Sequence, residues 1–287
     1  MGFTILCPTD FSEASDRALR YAVELARPHA GAKIRLLHVD DLPTYGLPDG
    51  SVLDEPLRDS WRERLEDLVE RFADRVEIVP VMTHGPPSGE ILAHAGDVDL
   101  VVMATRGRNA FARALLGTTA QKVTRACPVP VLTIDPEAEV RQIRKVLCMV
   151  DLTPWSEPAL DEAVRWAERT GATLYVVHAF ELPLYTLPDG GSIFEPDLVA
   201  RVRAQANDRM DAFLARWSTK APVERLVVEG APATVARQVM EDEGIDLVVL
   251  GTHGRSGMQR LLLGSVAERM LRTSHVPVMV VRAGGGT

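Results

Sequence analysis

Short apolar runs without polar alternation punctuate the chain, and amphipathic segments with apolar positions three and four apart fill the spaces between them. The first pattern marks a strand buried on both faces and the second a helix with one face on a core. They predict strands over 3–7, 34–39, 76–82, 99–104 and 129–134, with helices over 12–26, 57–72, 88–95 and 118–125, the first of them capped by Ser12 or Ser15. The order then repeats, with strands over 143–150, 173–179, 223–228, 246–250 and 276–281 and helices over 157–169, 196–217, 234–241 and from Ser265 onward. Pro43, Pro48 and the Asp49-Gly50 pair make 40–55 a loop, its counterpart is 181–195, and 283–287 reads as a frayed tail.

The repetition reaches individual residues. ILCPTDFSEASDRALRYAVELA near the start matches VLCMVDLTPWSEPALDEAVRWAE from Val146, which sets Asp10 opposite Asp151 and Ser15 opposite Ser156. His38 falls opposite His178, LPTYGLPDG opposite LPLYTLPDG, DLVVMATRG opposite DLVVLGTHG, and VPVLTI opposite VPVMVV. One unit is used twice. Residues 1–135 form the first domain, the polar stretch 136–142 a linker, and 143–287 the second domain. Strands alternating with helices imply right-handed crossovers, a parallel sheet and helices on both faces. The expected class is α/β, with two tandem five-stranded parallel-sheet sandwiches.

Composition narrows the functional classes. The 287 residues are 46% hydrophobic and 25% charged, which is ordinary for globular domains. A net charge of −8 argues against binding nucleic acid, which needs clustered Lys and Arg. Cys7, Cys127 and Cys148 lack the close pairing of zinc or redox sites and read as buried reduced thiols. The N-terminus does not resemble a signal peptide or a myristoylation motif, and no apolar run approaches membrane-spanning length. These features give a cytoplasmic protein without a membrane partner as the expectation.

Chemistry concentrates in 246–270, DLVVLGTHGRSGMQRLLLGSVAERM. A buried strand runs into Gly251, Gly254 and Gly257, and a helix resumes at Gly264-Ser265 with Ser265 expected as its cap. Glycines let backbone N–H groups approach a ligand, and a helix start adds unpaired donors and a positive dipole end, so the stretch suits an anion. It is neither a Walker loop nor a G-x-G-x-x-G fingerprint.

The spacing G-x2-G-x9-G-S, with its flanks GTHGRSG and LLLGSVAE, resembles the ATP-binding signature of the universal stress protein family. The resemblance implies a Rossmann-like, adenine-nucleotide-binding α-hydrolase-like unit, here in tandem and pseudo-twofold related. It implies ATP as ligand, with Mg2+ held through the phosphates. Asp10 and Asp151 would hydrogen-bond the nucleoside, and the backbone of Val39 and Ala179 would meet adenine. Gly251, Gly254, Gly264, Ser265 and Val266 would cradle phosphate in the second unit, and Gly107, Gly117 and Thr118 in the first, where Ala104 replaces the leading glycine. In this family the last strands of two units pair across a dyad, so the chain would form that dimer internally, with a further homodimer and an unknown protein partner left open. Pro130 and Pro277 fit such terminal edge strands.

Several residues carry two readings. Asp10 and Asp151 either contact ligand or cap the helices that follow. Arg108 and Arg255 either reach phosphate or are solvated like Arg113 and Arg260. His38 and His178 lack a nearby nucleophile and read as structural. Tyr45 and Tyr185 either cover adenine or stiffen their proline-rich loop. No catalytic constellation and no metal-ligand cluster appears, so the expected function is a nucleotide-responsive stress regulator with at most slow ATP hydrolysis. A scaffold with vacant sites and a true ATPase or nucleotidyl transferase are the alternatives.

Overall fold

The computed structural model describes residues 2–41, 55–107, 116–181, 196–252 and 263–282. In chain order the elements are β1 (Thr4–Thr9), α1 (Glu13–Ala26), β2 (Lys33–Asp40), α2 (Glu55–Phe72), β3 (Glu77–His84), α3 (Pro87–Ala93), β4 (Leu100–Ala104), α4 (Thr118–Ala126) and β5 (Val131–Ile134). They continue with β6 (Lys145–Met149), a 3-10 turn (Pro154–Ser156), α5 (Glu157–Thr170), β7 (Thr173–Phe180), α6 (Pro196–Leu214), β8 (Val223–Glu229), α7 (Pro232–Glu243), β9 (Leu247–Gly251), α8 (Ser265–Thr273) and β10 (Val278–Val281).

Two compact units emerge. The first comprises Met1–Val140 together with Leu271–Arg282, and the second is built on Arg141–Met270. In the first, the strand order is β3-β2-β1-β4-β5-β10. Its first five strands are parallel, and β10 runs antiparallel to β5 with Met279 opposite Leu132. In the second, parallel strands run β9-β6-β7-β8. Connections leave β1 toward β2 on one side while β4 pairs on the other, so strand order reverses beside β1, and likewise beside β6. In such sheets a crevice opens at the carboxyl ends of the strands flanking the reversal.

The sequence explains the layers. On β1, Ile5, Leu6 and Cys7 are fully buried, the consequence of a helix layer on each face. Against one face α1 buries Ala18, Leu19, Tyr21, Ala22, Val23 and Ala26. On the other, Leu6, Leu37, Val101 and Met103 pack with Ile91 of α3 and with Ala120 and Val123 of α4. In the second unit Trp166 of α5 is the largest fully buried side chain, its indole N–H donating to Glu162 Oε1 at 2.9 Å.

Two details refine this picture. Pro130 and Pro277 sit just before β5 and β10 rather than within them, and the two strands pair with each other. The Pro130 carbonyl accepts the Val101 N–H at 3.0 Å, a bond that needs no donor from proline. Within 136–142, Ala138 is 1% exposed and its carbonyl accepts from Arg17 at 3.0 Å, while Glu139 accepts from the Tyr21 hydroxyl. That part of the stretch is packed on α1. No helix among the described residues is long and apolar enough to cross a membrane.

Candidate nucleotide site

The site begins where β1 and β6 end. Asp10 follows β1 directly and Asp151 follows β6 after Val150, and each aspartate precedes a non-glycine residue in the left-handed region, Phe11 and Leu152, both at φ 61°. That conformation crowds Cβ against the backbone and is held only where surroundings fix it. The aspartates do the fixing. Oδ1 of Asp10 accepts from the Ser12 N–H at 3.0 Å and its hydroxyl at 2.5 Å, and Oδ1 of Asp151 accepts from the Thr153 N–H at 3.0 Å and its hydroxyl at 2.6 Å. These are Asx turns, with one carboxylate oxygen tying down the turn. Helix α1 is capped by Ser12, whose side chain accepts from Ser15 N–H, so Asp10 itself is not the cap. The sequence held no signal for the left-handed residues, because bulky Phe and Leu are poor candidates for positive φ.

The loops after β4 and β9 close in the same way. The Gly117 N–H donates to Thr105 O at 2.8 Å, and the Gly264 N–H to Thr252 O at 2.8 Å. A Cβ on Gly117 would stand 3.2 Å from that Thr105 oxygen, so glycine permits the close approach. The entry leg of the first loop is anchored to β5: Thr105 N–H donates to Ile134 O at 3.0 Å, and Arg106 pairs with Asp135 at 2.7 Å. The helix caps differ from expectation. Gly117 is the N-cap of α4, without a side-chain cap bond, and Thr118 is the first helical residue. Ser265 likewise opens α8, and the Gly264 carbonyl accepts the Glu268 N–H at 2.9 Å. Placing glycine at the cap leaves the first turn of α4 without a capping side chain, the arrangement an anion would complete.

In the second unit these parts surround a cavity of about 510 Å³. Asp151, Ala179, Gly251, Gly264, Ser265 and Val266 line it together. Met149, Glu181 and Pro232 also line it and were not anticipated, since each belongs to a different element and shares no motif with the rest. His178 reaches the wall as well. Its Nδ1 lies 2.9 Å from Val150 O, and a carbonyl only accepts, so Nδ1 carries the hydrogen.

In the first unit, His38 makes the matching bond to Thr9 O at 2.9 Å. Gly107 meets Asp10, because a Cβ there would stand 2.5 Å from Asp10 Oδ2. Val39 turns its side chain toward the Leu6–Leu37 core. The His38 ring lies 4.4 Å from the Phe11 ring and 5.0 Å from that of Trp61 on α2. Arg108, Gly254, Arg255, Gly257, Arg113, Arg260, Tyr45 and Tyr185 lie outside the described residues.

Burial pushes the Cys7 thiol up to about 12 and Cys127 to about 11, and raises Cys148 as well. None is a nucleophile at neutral pH.

The model of the universal stress protein family matches residues 1–135 and again 142–282. This chain belongs to the universal stress protein family. It is 30% identical to a universal stress protein of Mycolicibacterium smegmatis over 98% of this chain and 97% of that one. A universal stress protein of Mycobacterium tuberculosis is 33% identical over 218 residues, covering 73% of this chain and 71% of the relative. The crystal structure of a universal stress protein from Archaeoglobus fulgidus superposes with a TM-score of 0.72 over 98% of both chains at 22% identity, a likeness of fold. The double family match makes this a tandem universal stress protein with an α/β fold.

Proposed function

We propose that this universal stress protein binds ATP with Mg2+ and acts as a nucleotide-responsive stress regulator. The observation that carries the reading is the cavity of about 510 Å³, into which Asp151, Ala179, Gly251, Gly264, Ser265 and Val266 converge. Its size suits a nucleotide. The start of α8 and its preceding glycine lie on the wall, where the first N–H groups and the positive dipole end favour phosphate. Asp151 and Glu181, also on the wall, are acceptors for a sugar diol or a base amine. Magnesium would travel with the phosphates and neutralise part of their charge. No group of three or more His, Cys, Asp or Glu side chains among the described residues is placed to hold a metal ion by itself.

In the first unit Asp10, Val39, Gly107, Gly117 and Thr118 would form the equivalent site, with Arg108 reaching phosphate there and Gly254 and Arg255 doing so in the second. The domains would be 1–135 and 143–287, joined by 136–142, with the tandem repeat serving as the family's dimer within one chain. Buried, unpaired thiols support a cytoplasmic setting. The chemistry that the wall offers is binding and positioning of phosphate by the backbone N–H groups at the start of α8.

The test is to denature gently purified protein, identify released nucleotide by chromatography and count moles per chain. Near two ATP means both units bind, and near one means the second unit alone does. A protein that is empty and also fails to take up ATP with magnesium overturns the reading in favour of a scaffold.

A further inference from the structure

Around the first Asp turn the structure holds a group of side chains that the family resemblance does not call for. Phe11, in its left-handed conformation, is covered on its ring by the Arg64 guanidinium at 4.3 Å, and the Phe11 carbonyl accepts from Arg64 Nη2 at 3.2 Å. The Phe11 ring also rests 4.4 Å from His38, which Trp61 approaches edge-on at 5.0 Å. Arg58, earlier on α2, pairs at 2.8 Å with Asp40, whose side chain is 2% exposed. Three residues of α2, roughly one turn apart, therefore hold the carboxyl ends of β1 and β2. In the second unit Leu152 takes the place of Phe11 at the same φ, with no ring for a guanidinium to cover.

We propose that Arg64 is a positioning residue for the first ligand site. By gripping both the ring and the carbonyl of Phe11, it braces the left-handed turn that Asp10 closes through Ser12 and that sets Asp10 beside Gly107. Helix α2 thereby becomes a working part of the first site. The link uses two contacts that a guanidinium makes together: a flat cation over an aromatic face and a directed N–H to a carbonyl. Its consequence is an asymmetry. The first turn answers to the position of α2 through an aromatic–guanidinium contact that Leu152 cannot make. The inference rests on the nucleotide-site reading of the same turn for its effect on ligand, but not for its effect on the turn itself.

The experiment uses the full chain carrying Asp151→Ala, which weakens the second site, so that the tighter ATP binding in the presence of magnesium is read from the first unit. Arg64→Ala and Arg64→Lys are added separately. Two readouts are taken: ATP affinity by equilibrium dialysis, and amide exchange without nucleotide over 9–15 and 104–107. Arg64→Ala is expected to speed exchange in both segments several-fold and to weaken ATP about tenfold, while Arg64→Lys, which keeps the cation but loses the fork, falls between. Faster exchange confined to α2, with 9–15 and 104–107 unchanged, overturns the proposal whatever the nucleotide result. If the exchange response appears but the first unit binds no ATP even with Arg64 intact, the positioning role stands and the nucleotide reading of that site fails.

Discussion

Asp10 Oδ2 occupies the space in which a side chain on residue 107 would begin, 2.5 Å from the position of a Cβ. The end of β1 and the loop after β4 are thus in contact through a carboxylate and a bare backbone. Substituting Gly107→Ala displaces Asp10 Oδ2, and a shift of the carboxylate disturbs the bonds that its other oxygen accepts from Ser12. We expect a stability loss of about 1 kcal/mol and at least tenfold weaker nucleotide binding in the first unit, with the second unaffected. Titration calorimetry of the variant checks this. Unchanged binding at both sites would disconnect the contact from ligand recognition.

Asp151 lines the open cavity and also holds its own turn through Thr153. Asp151→Ala removes the tie that steadies Leu152 and, on the proposed reading, an acceptor for the nucleotide. Hydrogen bonds to a charged group contribute about 1.5–3 kcal/mol, so affinity for ATP in the second unit should fall roughly tenfold to a hundredfold. Equilibrium dialysis reads the change, and a far-UV spectrum matching the parent protein shows that the fold survives.

Residues at the end of the chain complete the first compact unit. Val278, Met279, Val280 and Val281 of β10 are almost fully buried, and Thr133 on β5 donates its hydroxyl to Val278 O at 3.0 Å. Deleting 277–287 removes four buried side chains at about 1.5–3 kcal/mol each, comparable with the whole stability of a small domain. Limited proteolysis and amide exchange should show loss of protection over 131–134, far from the cut in sequence. Intact protection there would mean that β10 is dispensable.

The thiols of Cys7 and Cys127, pushed by burial to about 12 and about 11, bear on alkaline stability. Their folded values lie above the ordinary thiol value of 9.0, so their contribution is fully present below pH 9 and is lost as pH rises from there toward 12. At pH 8 fewer than about one Cys127 in a thousand is ionised, and native protein should resist iodoacetamide for hours while urea-unfolded protein reacts at all three cysteines. Rapid labelling of the native state would contradict the burial.

The sequence by itself determined the alternation of buried strands and helices, the internal repeat and the glycine spacing. Each is a local pattern: an apolar run such as Val101–Met103 needs a covered sheet, and Gly117 and Gly264 stand before helices wherever the chain goes. Together with the family resemblance it led to the expectation of one site holding Asp151, Gly251, Gly264 and Ser265, residues that line one cavity wall. Other features were decided only in three dimensions. Phe11 and Leu152 adopt left-handed backbone because the neighbouring aspartate closes an Asx turn, against their own preference. Ser265 opens α8 instead of capping it, as Thr118 opens α4, because the loop returns through a backbone bond that sets glycine before the helix. Strand β10 lies in the first compact unit, and Arg64 reaches Phe11 from a residue 53 positions away. Contacts between residues so distant in sequence depend on the path of the folded chain, and no local pattern of hydrophobicity or spacing encodes that path.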